Sequence, residues 1–444
     1  MRGGLSPVLP VRAFIQDKFP EFAVYLDGDG PIGVGVSGGG DSVALLYALA
    51  AWGQRPLEVF CVDHGLNPLS AGWTQSVADH AARVGAGFTA LHWQGEKPST
   101  GLSAAARLAR HRLLAEDARQ KGVSVLCLAH TADDMAEAEA MRAQGSNVGT
   151  PRVWSPSPVW PEGRGIFLYR PFIDVRRENL RDYLRGIRAD WIEDPANESV
   201  HSLRARTRKS LRGHVDSVAT PEPSPVITAE QVRTLMPVTE ISDTCATINL
   251  KTGPFDDLPR DAALKLLATA AVCAGGGDKL PKSDKVAALL DQLPSGKALT
   301  LAGARLRRTE DMITISREAG DIGRNRPGTM TLSGADEGVW DGRFAIRSPH
   351  AGEIVAAAVL RTELNNADRA WLLTLPQASR GGQPVFVSLG QKDNQNKCLL
   401  TNPALRQSLY SGIESVCLVR SRFYAALGLI ATETTQKTIE SLRE

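Results

Sequence analysis

Residues 37–42 of the chain read Ser37-Gly38-Gly39-Gly40-Asp41-Ser42, between a strand-like and a helix-like segment. Residues 32–36 before this stretch are short and β-branched, which is typical of a buried strand. Residues 43–49 after it form an apolar stretch suited to a buried helix. Glycine lets backbone N–H groups approach an anion closely, and a helix N-terminus adds unpaired N–H groups and the positive end of its dipole. An ordinary tight turn seldom needs three glycines between serines, so we favour a phosphate-binding loop.

The composition limits the kind of protein this can be. The chain has 444 residues, 43% of them hydrophobic, which predicts two or three domains with their own cores. A formal net charge of +2 is nearly neutral, so a nucleic-acid surface requires local clusters of basic residues. The six cysteines contain no CxxC pair, which indicates a reducing compartment without a disulfide framework or a cysteine zinc site. Because no signal-peptide core or membrane span is visible, we expect a cytoplasmic protein.

Strand-like and helix-like patterns alternate between residues 32 and 172. The clearest helix is predicted at residues 102–121. Further strands are predicted at residues 57–62, 88–93, 123–129 and 166–169. This alternation predicts a doubly wound parallel sheet with helices on both faces. Ligands of such sheets bind beyond the carboxyl ends of the strands, so the polar residues there are candidates for a site.

Two predicted strand ends carry polar clusters. Asp63 and His64 follow the second strand, where they have the chemistry either to contact a nucleotide or to satisfy turn backbone. His130 follows the fourth strand, with Asp134 and Glu137 in the first turn of the next helix. Spaced at i and i+3, the two carboxylates point toward the loop and suit Mg²⁺ or an amino-acid ammonium. The alternative is the general preference for acids at a helix N-terminus, and no second nitrogen or sulfur ligand favours zinc.

Basic residues recur on three stretches. Arg107 and Arg110 share a helical face at i and i+3, near the start of the predicted helix. An amphipathic helix at residues 175–188 has a basic face that acidic neighbours partly neutralise, as is usual for a solvated face. The third run has no acid inside it and therefore favours phosphate contact. It consists of Arg204, Arg206, Arg208, Lys209 and Arg212.

The glycine loop resembles the PP-loop of ATP pyrophosphatases, which cleave ATP between the α and β phosphates and leave an adenylated intermediate. It lacks the Gly-Lys-Ser/Thr of the common nucleoside-triphosphate loop and the glycine spacing of a dinucleotide fingerprint. The resemblance implies that the loop binds pyrophosphate and that Asp41 holds Mg²⁺, although a helix-start carboxylate is the alternative for Asp41. The nucleotide-binding residues so implied are Ser37, Gly38, Gly39, Gly40, Asp41, Ser42, Asp63, His64 and His130.

Four further segments resemble the tRNA(Ile)-lysidine synthetase family in order and spacing. They are residues 62–67, residues 129–134, Arg170-Pro171-Phe172 and residues 191–197, Trp-Ile-Glu-Asp-Pro-Ala-Asn. The resemblance covers about residues 32–212. It implies a ligase that uses ATP to adenylate C2 of the wobble cytidine in tRNA(Ile) with a CAU anticodon. Lysine then displaces AMP to give lysidine.

The same resemblance implies roles for individual side chains. The implied catalytic residues are Asp41, Asp134, Glu137 and Arg206. Asp134 and Glu137 also hold lysine, and further contacts to lysine or tRNA come from Arg107, Arg110, Arg204 and Arg208. The chain departs from the family at Met135 and Ala138, where the family usually has Gln and Thr.

The fold class we expect is α/β, similar to the adenine-nucleotide α-hydrolases. A doubly wound parallel sheet is followed by a helical middle region and a small α+β C-terminal domain. Residues 220–225, Thr-Pro-Glu-Pro-Ser-Pro, read as a linker. We therefore expect a catalytic domain at residues 1–218 and two tRNA-binding domains, one mostly helical at 226–325 and one at 326–444. The tRNA role of the second half follows from the family resemblance alone.

Two other functions stay open at this point: another PP-loop tRNA-modifying enzyme, and an inactive RNA-binding paralogue. Thiolating tRNA enzymes use cysteine pairs, which this chain lacks, and asparagine synthetases need an N-terminal cysteine where this chain has Arg2. Retention of Asp41, Asp134 and Glu137 argues against an inactive paralogue. The expected partners are thus ATP with Mg²⁺, L-lysine and tRNA(Ile), with no membrane. A homodimer stays open.

Overall fold

The computed structural model describes most of the chain. The described residues are 11–67, 70–95, 97–145, 154–155, 163, 166–193, 207, 210, 238–278, 280–325, 328–334, 336–360, 362–388, 398–401 and 412–427. The predicted linker at residues 220–225 and a helix predicted at 229–235 lie outside them. The chain divides into two compact units. The first comprises residues 1–156, 165–226 and 431–444, and the second comprises residues 157–164 and 227–430.

The first unit is built on a six-stranded sheet. Its strands are β1 (Ile32–Gly35), β2 (Leu57–Asp63), β3 (Gly87–His92), β4 (Val125–Leu128), β5 (Trp154–Ser155) and β6 (Phe167–Tyr169). Their order is β3-β2-β1-β4-β6-β5. All neighbours pair in parallel except β5, which pairs antiparallel with β6. The predicted parallel sheet is confirmed, and β1 lies at its centre.

Helices cover this sheet. In the described part of the unit they are α1 (Val11–Gln16), α2 (Phe19–Tyr25), α3 (Gly40–Trp52), α4 (Ser70–Arg83), α5 (Leu102–Gln120), α6 (Ala132–Ala143) and α7 (Arg177–Gly186). The apolar stretch after the glycine loop becomes α3, and Leu45 and Leu46 within it are completely buried. Leu180, Tyr183 and Leu184 form the buried stripe of α7, as the sequence predicts.

Close packing explains the alternation of β1, Ile-Gly-Val-Gly. A Cβ on Gly33 would meet Phe60 and Leu126 at 3.0 Å, and one on Gly35 would meet the Leu128 side chain at 2.8 Å. The neighbouring strands fill the space that side chains on β1 would need. The glycines therefore keep the sheet tightly packed where β1 leads into the loop.

The second unit contains antiparallel sheets as well as helices. The strands are β7 (Thr239–Ser242), β8 (Thr247–Lys251), β9 (Leu299–Leu301), β10 (Ala304–Arg308), β11 (Met312–Arg317), β12 (Thr329–Ser333), β13 (Asp336–Trp340), β14 (Phe344–Ser348), β15 (Ala351–Ala356), β16 (Pro384–Ser388), β17 (Cys398–Leu400) and β18 (Glu414–Cys417). They form sheets ordered β7-β8-β11-β10-β9, β12-β15-β16-β17 and β13-β14-β18.

The helices of the second unit accompany these sheets. They are α8 (Thr252–Asp256), α9 (Arg260–Ala274), α10 (Ser283–Gln292), α11 (Ala319–Asn325), α12 (Asn366–Thr374), α13 (Gln377–Arg380) and α14 (Val419–Ala426), with a 3₁₀ turn at Leu293–Ser295. Among the described helices of the whole chain, none is long and apolar enough to cross a membrane.

The middle region is more β-rich than the expected helical region. Within it, the sequence favours strands near residues 298–301 and 312–315, and the structure joins these to β7, β8 and β10 in one sheet. These strands are short, and β10 alternates buried alanine and leucine with arginine, which a helical pattern does not resemble. One hydrophobic core runs from Val238 to Leu427. The predicted boundary between residues 325 and 326 is therefore not marked by a break in this core, and the three-domain division stays a prediction.

Candidate functional site

The glycine loop is closed by the hydroxyl of Ser42. This hydroxyl donates to the Gly39 carbonyl at 2.8 Å and accepts from the Ser37 backbone N–H at 3.2 Å, and it lies 3.3 Å from the Ser37 hydroxyl. Gly39 precedes the first residue of α3 without a side-chain cap. Because glycine has no side chain, residue 39 places no oxygen over the terminal N–H groups of α3. This suits a helix N-terminus that binds an anion.

Residues 191 and 192 pack against the loop and support it, and Ile192 also lines the cavity beside it. Ile192 donates its backbone N–H to the Gly38 carbonyl at 2.9 Å. Gly38 has a φ of 87°, and a Cβ there would overlap the Ile192 side chain. Trp191 lies against Gly40 in the same way, 3.3 Å from the position of its missing Cβ. The Trp-Ile part of the family segment is thus the packing partner that requires glycine in the loop.

A cavity of about 740 Å³ opens beside the loop, at the ends of β2 and β4. It gathers most of the predicted site residues. Those lining it are Ser37, Gly39, Gly40, Asp41, Ser42, Asp63, His64, Arg107, Arg110, His130 and Asp134. Gly38 contributes its backbone geometry rather than a wall. The predicted shared face of Arg107 and Arg110 is confirmed, since both line the cavity.

Arg177, which the sequence grouped with the solvated basic face of the helix at residues 175–188, is instead 16% exposed and holds the acidic side of the cavity together. Its guanidinium donates to three carboxylates: Nε to Asp41 at 2.9 Å, Nη2 to Asp134 at 3.2 Å and Nη1 to Glu137 at 3.3 Å. Its own backbone N–H donates to Asp133 at 2.8 Å. The loop, α6 and α7 therefore meet at one side chain.

Asp134 has a structural role and a site role at once. Its Oδ2 accepts from the backbone N–H and the hydroxyl of Thr131, at 2.9 and 3.0 Å, in a capping box at the start of α6. Its Oδ1 is left for Arg177 at the cavity. The helix-start explanation is thus confirmed by the capping box, while binding of Mg²⁺ or an ammonium by the second oxygen stays a prediction.

Glu137 lies deeper than predicted. Since α6 begins at Ala132, Glu137 falls in the second helical turn rather than the first, and its side chain is 3% exposed. It is not among the residues that line the cavity. It nevertheless converges with Asp134 on Arg177, so the predicted common direction of the two acids is confirmed. Met135 and Ala138, where the chain departs from the family pattern, are buried in α6.

On the acidic side of the cavity, Asp41 and Arg177 both have raised pKa values. Burial raises the pKa of Asp41, and Arg177 opposes this rise without cancelling it. Burial also acts against the charge on Arg177, but Asp41 and Asp134 outweigh it and raise the pKa of the guanidinium. Arg177 therefore stays positively charged, surrounded by more acids than it can neutralise.

The other side of the cavity is cationic. Arg107 and Arg110 on α5 lie near His111 and the almost completely buried Arg170 of the Arg-Pro-Phe segment. Burial and the charges of Arg107 and Arg110 lower the pKa of His111 to about 3 and lower that of Arg170 below its ordinary value. Such a positive excess attracts anions into a cleft.

Asp63 and His64 lie where β2 ends, at a turn that borders the cavity. Burial acts to raise the pKa of Asp63, but the Gly65 backbone N–H, which donates to it at 2.8 Å, holds the pKa below its usual value. Burial and the charge on Arg110 lower the pKa of His64. Both side chains line the cavity. Asp63 therefore serves the turn and the cavity wall together.

Two groups of predicted site residues lie outside the described residues. They are Arg204, Arg206 and Arg208, and the Asp-Pro-Ala-Asn residues 194–197. Within the described part of the chain, no group of three or more His, Cys, Asp or Glu is arranged to hold a metal alone. Mg²⁺ commonly uses one or two protein carboxylates beside substrate phosphates and water, so Asp41 next to a phosphate loop fits it.

Sequence reasoning passed over Arg177 because its helix has an ordinary amphipathic pattern. One signal was present. Arg177 is the first residue of α7, where a cation opposes the helix dipole. A basic residue in that position calls for nearby acids, and the structure supplies three. Arg181, one turn later, also lines the cavity.

Comparison with known proteins identifies a family model and several relatives that this chain resembles. A family model described as a PP-loop domain matches residues 12–215. The chain is 39% identical to the tRNA(Ile)-lysidine synthase of Caulobacter vibrioides, over 91% of this chain and 95% of the relative. It is 33% identical to that of Hyphomonas neptunium, over 74% and 90%. It is 31% identical to that of Ruegeria pomeroyi, over 80% and 83%.

Proposed function

We propose that this chain, which belongs to the tRNA(Ile)-lysidine synthase family, joins lysine to C2 of the wobble cytidine of tRNA(Ile) with a CAU anticodon. ATP is consumed, and lysidine, AMP and pyrophosphate are formed. The observation that carries the proposal is one cavity with a phosphate loop, an acidic side around Arg177 and a cationic side around Arg107.

In the first step the C2 oxygen of cytidine attacks the α phosphorus of ATP. A C2–O–P bond forms, the bond between the α and β phosphates breaks, and pyrophosphate leaves. The N-terminus of α3 and the loop bind the departing phosphates, and the positive charge of Arg107 and Arg110 stabilises the negative charge that develops on them. When bound, Mg²⁺ held by Asp41 adds charge neutralisation at the same place.

In the second step the side-chain amine of lysine attacks the activated C2. The C–N bond forms, the C2–O bond breaks and AMP leaves. Asp134 and Glu137 hold the lysine ammonium beforehand, and one of these carboxylates accepts the proton that the amine must lose. Asp134 is placed for this because only one of its oxygens is engaged by the capping box.

The tRNA requires a surface larger than the cavity. We assign its phosphate contacts to the basic run that includes Arg204, Arg206 and Arg208, and its remaining contacts to the second half of the chain. From a reaction on tRNA we infer a cytoplasmic protein.

Exchange of labelled pyrophosphate into ATP tests the first step in the absence of lysine. The wild-type protein is expected to give exchange that depends on tRNA(Ile). Glu137→Gln is expected to retain this exchange while losing lysine incorporation, because the glutamate acts in the second step. Absence of tRNA-dependent exchange in the wild type would instead mark a binding module without the activation step.

A further inference from the structure

We propose that the guanidinium of Arg177 occupies the position of the lysine ammonium, and that lysine binds by displacing it. Arg177 would then set the affinity for lysine as an internal competitor. The inference deepens the proposed function and rests on its assignment of lysine to Asp134 and Glu137.

The contacts of Arg177 are those that an ammonium ion seeks. A lysine ammonium has three N–H donors and no acceptor. Around Arg177, oxygens of Asp41, Asp134 and Glu137 converge at 2.9, 3.2 and 3.3 Å from three different nitrogens. The two carboxylates proposed to hold lysine are thus already engaged by a cation of this chain.

Arg177 is fixed at one end and movable at the other. Its backbone N–H donates to Asp133, at the start of α6, at 2.8 Å. Its side chain borders the cavity and is 16% exposed. A rotation about side-chain bonds can therefore withdraw the guanidinium toward the cavity while α7 stays in place, and solvent there can hydrate it.

Neighbouring arginines on the same helix do not share this arrangement. Arg181 lies against Glu193 at 3.3 Å and Glu178 at 3.9 Å. Arg185 pairs with Glu178 and Asp182 with its side chain 54% exposed. Neither contacts the acids of α6, so the competition is specific to residue 177.

Competition has a definite thermodynamic consequence. When a binding site is available for only part of the time, the apparent Kd of the ligand rises by the inverse of that fraction. If Arg177 leaves the acids for about a tenth of the time, lysine binds about tenfold more weakly than it would to the vacant site. Removing the guanidinium is therefore expected to strengthen lysine binding.

Equilibrium dialysis with labelled L-lysine measures this directly on the full-length protein. We expect Arg177→Ala to lower the Kd for lysine about tenfold, Arg177→Lys to stay near the wild type and Arg185→Gln to leave the Kd unchanged. Added guanidinium chloride at about 10 mM, suited to the weak affinity of so small an ion, is expected to weaken lysine binding to Arg177→Ala and not to the wild type.

The opposite outcomes distinguish a mere positioning role of Arg177 from a failure of the proposed function. If Arg177 only positioned the carboxylates, Arg177→Ala would bind lysine more weakly and guanidinium would restore rather than oppose binding, which would overturn the inference. Arg177→Gln replaces the alanine variant if the latter fails to fold. Wild-type protein that neither binds lysine nor incorporates it into tRNA would overturn the proposed function itself.

Discussion

Each unit of the molecule contains an arginine network, and the two networks differ in charge balance. In the first unit one guanidinium, that of Arg177, is shared by three carboxylates beside a cavity. In the second unit Arg317 and Arg343 share the carboxylate of Asp341, each with its Nε donating at 2.8 Å, and Arg317 also donates to Asp321 at 2.8 Å. Backbone carbonyls, including those of Gly303 and Gly382, accept further N–H groups of the two arginines.

The difference lies in whether the partners can be exchanged. Arg317, Asp341 and Arg343 are 3%, 8% and 1% exposed, so water has little access to the carboxylate that the two arginines share. Burial lowers the pKa of Arg343, while Asp341 opposes that change. The acids around Arg177 instead exceed it in number and border a cavity. A closed network specifies the fold, whereas an open network with surplus charge has room for a ligand.

The closed network is broken most directly at its shared carboxylate. Asp341→Asn removes the carboxylate that buried Arg317 and Arg343 share and leaves Arg317 paired with Asp321 alone, so we expect the free energy of unfolding to fall by about 3–5 kcal/mol. Asn is as acceptable as Asp at the φ of 50° found there. Chemical denaturation of the full chain measures the loss.

Asp243→Asn is the matched control for this change. It breaks the pair with Arg420, in which the two side chains are 45% and 30% exposed, and should cost no more than about 1 kcal/mol. A loss at Asp341 as small as that at Asp243 would show that the two networks do not differ in the way described.

Nucleotide binding at the cavity should depend on the geometry of the glycine loop. Gly38→Ala forces a side chain into a left-handed conformation and against Ile192, which should cost about 2 kcal/mol and lower ATP affinity at least about tenfold. Calorimetric titration with ATP measures the affinity. Gly72→Ala on α4, whose added Cβ meets nothing within 4 Å, should leave it unchanged. Equal affinities for the two variants would mean that the loop geometry does not determine nucleotide binding.

The cationic side of the cavity predicts a pH dependence. Burial and the neighbouring arginines hold the pKa of His111 at about 3 in the folded protein, against an ordinary value of 6.5. The unfolded chain therefore binds a proton that the folded chain does not. Stability from this group is complete above pH 6.5 and falls as pH drops toward 3, by about 1–2 kcal/mol between pH 6.5 and 5.

His111→Gln tests this pH dependence, since the variant should lose that part of the slope of unfolding free energy against pH. An unchanged slope in His111→Gln would contradict the cationic environment assigned to α5.

The first unit was largely predictable because its signals are local. The strand predicted at residues 57–62 is Leu57–Asp63, and the helix predicted at 102–121 is Leu102–Gln120. The loop and the strand-end acids were found because glycines, serines and carboxylates stand together in the sequence. Arg177 was missed because its partner Asp41 is 136 positions away, and only the folded chain brings the two together.

The second unit was less predictable for a related reason. Its strands are short, and in β7 and β8 polar threonine, serine and asparagine replace much of the apolar alternation. The Arg317–Asp341 pair spans 24 positions and leaves no local pattern. Residues 326–444 carry no chemical motif, so their predicted tRNA contacts depend on the family.

Mass analysis of tRNA(Ile) shows whether this protein attaches lysine to the wobble cytidine. The tRNA with a CAU anticodon is incubated with the protein, ATP and L-lysine, and its nucleosides are then examined. We expect the wobble cytidine to gain one lysine with loss of water, and no gain when ATP is omitted. An unmodified cytidine in the presence of all three components would contradict the account.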